Sequence, residues 1–210
     1  MGKLRVGIVG AGNIAQSAHL PVYQRITDIA EVVAIADLNL ARAQEAAAKF
    51  GIPAAYSSAE ELLEKADVDY IDVCVWNGYH ADVTIAAANA GKHVLCEKPM
   101  AFNVEHAMRM KEAVERNKVQ FMLAVPNRYR PDVQLLREMV DAGKIGEIYY
   151  AKTANLRRRG TPIGWFTDVS KAGGGPVIDI GVHCIDRTWF LMGCPKPTRI
   201  SASISYAIGD

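Results

Sequence analysis

Apolar runs alternate with amphipathic stretches along the first 125 positions. Residues 4–10 (LRVGIVG) read as a short apolar strand ending in a glycine turn, and 32–37 (VVAIAD) as a second buried strand. Residues 39–50 are alanine-rich and helical, with Asn39 as cap and Gly51 as stop. Ser58 and Glu61 have capping-box spacing for a short helix at 59–66. Strands follow at 69–75, 93–97 and 119–125. Helices fall at 81–90, closed by Gly91, and at 104–117, capped by Asn103. Apolar strands separated by helices of this length indicate βαβ units and a parallel, doubly wound sheet.

After Pro126 the rhythm changes. Residues 131–143 form a helix stopped by Gly143, and 146–158 a long strand of partly alternating character. Residues 159–175 form a glycine-rich loop. A helix leads to Gly193, and residues 198–207 form an alternating strand. A boundary near 126 gives two domains, 1–126 and 127–210. Two strands make a poor independent sheet and leave an exposed edge. The chain is therefore expected to stop inside its second domain.

Composition narrows the class. Half of the 210 residues are hydrophobic and 22% are charged, so a sizeable core is expected. Net charge is +1, with Arg157, Arg158 and Arg159 the one basic cluster. No general attraction to nucleic acid or membrane is expected, and no run approaches the ~18 apolar residues of a membrane span. The N-terminus enters a strand directly, without a signal-peptide pattern, and Gly2 lacks a myristoylation context. Cys74, Cys96, Cys184 and Cys194 form no CxxC pair. They read as reduced thiols of a cytoplasmic protein.

Three stretches carry chemistry. Gly10-Ala-Gly12-Asn13-Ile14-Ala15 fits G-x-G-x-x-G/A directly after a strand, and Asp37 follows Gly12 by 25 positions. That context indicates a dinucleotide site, with the glycines making room for the pyrophosphate at a helix N-terminus. A carboxylate at Asp37 suits the ribose hydroxyls and repels a 2′-phosphate, favouring NAD over NADP. Lys98, in CEKP (96–99), leaves the carboxyl end of a strand, where ligands of open α/β sheets bind. It is either a proton-handling group or a solvated lysine before a turn proline.

The third stretch is AGGGPVIDIGVHCIDRTWFLMG (172–193). It sets Asp179 and His183 at i and i+4 on one helical face, with Asp186 at i+7. Asp179 and His183 suit acid–base work. The competing reading makes His183 a satisfied core histidine and Asp179 a cap. Asp186 reads as a structural partner of Arg187 or Arg199. Two ligands do not complete a tetrahedral metal set, so no metal is expected.

In this order and rough spacing, the Gly10-x-Gly12 turn, Glu97-Lys98-Pro99 and Gly-Gly-Gly-x3-Asp179-x3-His183 resemble the Gfo/Idh/MocA family of NAD(P)-dependent oxidoreductases. The resemblance implies an N-terminal Rossmann domain and a C-terminal α/β domain on an open, antiparallel-rich sheet. In the family that sheet often forms a homo-oligomer interface. The family members typically oxidise a secondary alcohol of a sugar, cyclitol or related polyol, or run the reverse reduction. Lys98, Asp179 and His183 would then be catalytic: Lys98 on the reacting hydroxyl, His183 as general base, Asp179 positioning both substrate and histidine. Gly10, Gly12, Asn13, Ile14, Asp37, Asn77, His80, Glu97 and Asn127 would line the cofactor, with Arg128 beside Asn127. Val75-Trp76-Asn77 departs from the Thr-Pro-Asn of many members, and the Lys98–Pro99 bond is expected to be cis. Trp165 and Phe166 either stack on a sugar face or belong to a core. The chain is shorter than most members. Two alternatives stay open: an NAD-dependent glycosidase that oxidises its substrate transiently, and an NAD-binding protein inactive through truncation.

Overall fold

A computed structural model of the chain describes residues 2–156 and 163–205. It divides into two compact units, residues 1–124 and 125–210. Arg157–Arg159, the first part of the glycine-rich loop and the end of the 198–207 segment lie outside the described residues.

The first unit is built on six strands: β1 (Leu4–Val9), β2 (Ala30–Ala36), β3 (Ala54–Tyr56), β4 (Tyr70–Val73), β5 (His93–Glu97) and β6 (Phe121–Ala124). They form one sheet in the order β3-β2-β1-β4-β5-β6, with every pairing parallel. The helices between them are α1 (Leu20–Tyr23), α2 (Leu40–Phe50), α3 (Ala59–Lys65), α4 (His80–Asn89) and α5 (Val104–Asn117). A π-helical turn, Ala15–His19, runs straight into α1.

Period-two alternation along the strands sorts the core into two layers. Val6 and Ile8 of β1 and Ile35 of β2 face one side, where they meet Leu20, Ala43 and Ala46 from α1 and α2. Val9 of β1 and Ala34 and Ala36 of β2 face the other, with Leu62, Ala87 and Met110 from α3, α4 and α5. Helices on both faces require strands buried on both faces, which is why these strands read as nearly continuous apolar runs. The caps fall where the sequence predicts them. Asn39, Ser58 and Asn103 accept backbone N–H groups of Arg42, Glu61 and His106, and Gly51 closes α2 in the left-handed conformation. β3 escapes sequence reading because three partly buried residues carry too little pattern.

The second unit contains α6 (Pro131–Asp141), α7 (Val169–Ala172) and α8 (Val182–Leu191), the last preceded by a π-helical segment, Val177–Gly181. α6 and α8 are joined where Arg137 donates to Phe190 O at 2.6 Å and lies over the Phe190 ring. Here the structure departs from expectation. Among the described residues, 146–156 and 198–205 form no strand, and the antiparallel sheet is not formed. Alternation marks a segment suited to a one-sided sheet, but a strand exists only through its ladder. These segments instead leave Tyr149 and Leu156 94% and 93% exposed. No helix of the described residues is long and apolar enough to cross a membrane.

α5 offers a direct check of the layer assignment. Met110 is fully buried, whereas Met108 is 57% exposed. Met110→Ala is expected to lower the unfolding free energy by about 2–5 kcal/mol, and Met108→Ala by less than about 0.5 kcal/mol. Urea denaturation measures both.

Candidate functional site

The strand order reverses direction between β1 and β4, and the carboxyl ends of β1, β4 and β5 meet there in register: Val9 pairs with Val73, and Val73 with Cys96. In open α/β sheets this crevice is where ligands bind. Gly10 makes the turn out of β1 at φ +102°, and a Cβ there would sit 2.4 Å from Cys74 O. The fold itself therefore demands glycine at this position. Gly12 differs. Its backbone is ordinary, and a Cβ would meet nothing within 4 Å, so the space beside it is left open by the protein. Asn13 and Ile14 begin the helix that follows and are exposed. Asp37, just past β2, accepts from Ala11 N at 2.9 Å through Oδ2. Through Oδ1 it accepts from Asn39 N at 2.8 Å and Arg42 Nη2 at 2.9 Å. An open glycine turn, a helix N-terminus and a fixed carboxylate on the neighbouring strand suit the pyrophosphate and ribose of a dinucleotide.

At the end of β5, Lys98 is partly exposed and its bond to Pro99 is cis. Asn77 opens a short 3₁₀ turn after β4 and is buried. His80 requires a correction. It is fully buried, with Nδ1 2.7 Å from Pro99 O and Nε2 3.0 Å from Val75 O. Burial lowers its pKa. The ring ties the β4–α4 junction to the turn after Lys98, and has no edge left for a cofactor.

Beneath this edge lies a polar cluster that sequence spacing does not reveal. Asp72 of β4 is 0% exposed. Its Oδ2 accepts from Tyr23 Oη at 2.9 Å and lies 2.7 Å from His19 Nδ1. His19 Nε2 lies 2.9 Å from Glu97 Oε1, and Glu97 Oε2 accepts the Lys98 N–H at 3.1 Å. Tyr70 Oη donates to Tyr23 Oη at 3.0 Å. His19 and Glu97 are 12% and 13% exposed. Burial alone would lower the imidazole's pKa, but its bonds to Asp72, Cys74 and Glu97 outweigh that and push it well above its ordinary range. Burial likewise opposes ionisation of Glu97, yet His19 and the Lys98 N–H hold its carboxyl below the usual range. The result is an imidazolium between two carboxylates. His19, Asp72 and Cys74 also bring donor atoms within 4.8 Å of one another. Both ring nitrogens of His19 are, however, already engaged by carboxylates, Asp72 and Glu97. The geometry is that of a hydrogen-bonded cluster.

In the second unit, Asp179 sits in the π-helical segment and His183 in the first turn of α8, both partly exposed. Asn127 lies in a 3₁₀ turn, Pro126–Tyr129. Its neighbour Arg128 is committed elsewhere. The guanidinium holds Asp186 through Nε at 2.9 Å and Nη2 at 2.5 Å, and lies over the Phe190 ring at 5.3 Å. Asp186 is thus structural, as expected, but its partner is Arg128 rather than Arg187 or Arg199. Trp165 and Phe166 stack on each other at 3.9 Å.

Comparison with known proteins is decisive for the family. The family described as "Oxidoreductase family, NAD-binding Rossmann fold" (GFO_IDH_MocA) matches residues 4–125, and the GFO/IDH/MocA C-terminal domain matches residues 133–210. The chain belongs to the GFO/IDH/MocA oxidoreductase family. It is 37% identical over 208 residues to D-glucoside 3-dehydrogenase of Escherichia coli K12, covering 98% of this chain and 59% of that protein. It is 36% identical over 199 residues to trans-1,2-dihydrobenzene-1,2-diol dehydrogenase of Mus musculus, covering 95% and 59%. Among solved structures, a levoglucosan dehydrogenase in complex with NADH and levoglucosan superposes with a TM-score of 0.80 at 32% identity. That match covers 91% of this chain and 54% of the other. The chain therefore spans little more than half the length of these GFO/IDH/MocA relatives.

In this GFO/IDH/MocA chain, folding raises the pKa of His19. The stability so contributed is fully present below the unfolded value near 6.5 and is lost as pH climbs toward the folded value. From pH 7 to 8 the native state keeps a proton that the unfolded chain has released. Unfolding free energy should fall there by up to about 1.4 kcal/mol per pH unit. Urea denaturation across this window checks the slope, which His19→Gln should abolish. A flat wild-type profile would contradict a buried imidazolium.

Proposed function

We propose that the protein is an NAD-linked dehydrogenase acting on a secondary hydroxyl of a sugar, cyclitol or related polyol. The observation that supports this reading is the carboxyl edge of the sheet, where the open Gly12 turn follows β1, the fixed Asp37 carboxylate follows β2 and Lys98 follows β5. The dehydrogenase names of the relatives support it. When bound, the dinucleotide supplies the acceptor or donor of hydride. Gly10, Gly12, Asn13 and Ile14 form the turn and helix start that hold its pyrophosphate. Asp37 takes the adenosine ribose hydroxyls; Asn77, Glu97 and Asn127 serve the nicotinamide end.

The remaining chemistry is one proton and one orientation. Lys98 hydrogen-bonds the reacting hydroxyl, His183 takes or returns its proton, and Asp179 orients His183 and substrate. The preference for NAD over NADP rests on Asp37. Its charge repels a 2′-phosphate, and the nearby Arg42, which could otherwise meet that phosphate, is paired with it. Residues 1–126 are the cofactor domain, and 127–210 the first part of a substrate domain. Homo-oligomerisation through this second domain, which the family resemblance implies, is part of the same proposal. Three buried free cysteines, Cys74, Cys96 and Cys184, accord with a cytoplasmic protein.

The test is a panel of sugars and cyclitols with NAD, followed as NADH absorbance. Lys98→Ala and His183→Ala are each expected to lower kcat about 10²–10⁴-fold, the range for a removed proton-transfer group, while NAD affinity changes less than threefold. Undiminished turnover in both variants would overturn the assignment.

A further inference from the structure

We propose that His19 is a positioning residue for the reaction, acting through Glu97 on Lys98. The proposal rests on the dehydrogenase reading above and extends it to a side chain that lies outside the dinucleotide turn and the Glu97-Lys98-Pro99 stretch.

The geometry is a chain of contacts from the helix start to the reacting edge. His19 closes the π-helical turn Ala15–His19, which begins three residues after Gly12. Single π turns place side chains where a regular helix would not, and here the imidazole spans two strands. Nδ1 reaches Asp72 on β4 at 2.7 Å, and Nε2 reaches Glu97 on β5 at 2.9 Å. The other oxygen of Glu97 takes the Lys98 N–H at 3.1 Å. A carboxylate anchored at both oxygens fixes the backbone from which the Lys98 side chain departs. The far side of Lys98 is held as well, because His80 lies 2.7 Å from Pro99 O.

The groups facing His19 are Asp72 on β4, Cys74 just past its end, Glu97 on β5 and Tyr23 on α1. The last donates to the same Asp72 oxygen that His19 contacts. Without the imidazole, Asp72 and Glu97 lose the ring that lies between them, and with it the bonds that hold both carboxylates in place. Glu97 is then free to take up a proton or turn away. Either change loosens Glu97 from the Lys98 N–H. The consequence falls on proton transfer at Lys98, where small displacements cost rate, rather than on the dinucleotide turn.

Four proteins test this: wild type, His19→Gln, Glu97→Gln and the double variant. Hydrogen exchange at the Lys98 amide is expected to quicken at least tenfold in each variant, with β1 amides unchanged. In His19→Gln, kcat per folded molecule should fall 10- to 100-fold, with KM and NAD affinity within threefold of wild type. The double variant should be no slower than the slower single variant, because both act on one link. Unchanged kcat in His19→Gln, or multiplied losses in the double variant, would overturn the proposal. If His19→Gln does not fold, Glu97→Gln carries the test through the Lys98 amide, and an unchanged exchange rate overturns it. Lys98→Ala separates the two readings. Full turnover in that variant refutes the role of Lys98, whereas the amide measurement still reports whether His19 and Glu97 hold its backbone.

Discussion

A carboxylate without any exposed surface stands in the middle of a central strand, and it must be compensated. Asp72 is flanked by Ile71 and Val73, both wholly buried. Leaving such a group ionised and unpaired would cost several kcal/mol. Compensation comes from two turns of one helix: the His19 imidazole and the Tyr23 hydroxyl. The first helix is thereby tied to β4 by polar contacts as well as by the Leu20 side of the core. The second nitrogen of His19 extends the tie to β5. One buried charge thus joins the helix that follows the glycine turn to the strand that presents Lys98.

The glycine turn complements this tie. Gly10 passes so near Cys74 O that any side chain would collide with it. The backbone of β1 therefore turns directly against the end of β4, two residues beyond Asp72. Gly12, by contrast, has no atom of the described residues within 4 Å of where a Cβ would sit. The two glycines of one motif thus differ: the fold requires the first and leaves open space beside the second.

The first unit was legible because each local signal agreed with the global arrangement. Strands buried on both faces gave apolar runs, Asn39 and Asn103 capped the helices they precede, and alanines at 43, 46 and 47 allowed α2 to lie close on the sheet. The cluster at His19 was illegible because positions 19, 72 and 97 meet only through the topology β1-β4-β5. Its one visible trace was an aspartate inside an otherwise apolar strand, an uncommon residue to bury. His80 misled for a related reason. Its place after β4 matches the family's cofactor-lining stretch, but the ring turns inward to two carbonyls. In the second unit the alternation at 146–158 and 198–207 was real, yet pattern specifies a face and not a partner. The described parts of those segments form no ladder.

The central claim is that the carboxyl edge around Gly12 is built to receive a dinucleotide, and isothermal titration of the purified chain with NAD tests it most directly. One molecule of NAD should bind per chain. Gly12→Val should weaken binding at least tenfold while leaving the urea midpoint unchanged, since the added side chain meets no protein atom near its Cβ. Absence of binding by the wild-type chain, or equal affinity in Gly12→Val, would contradict the account.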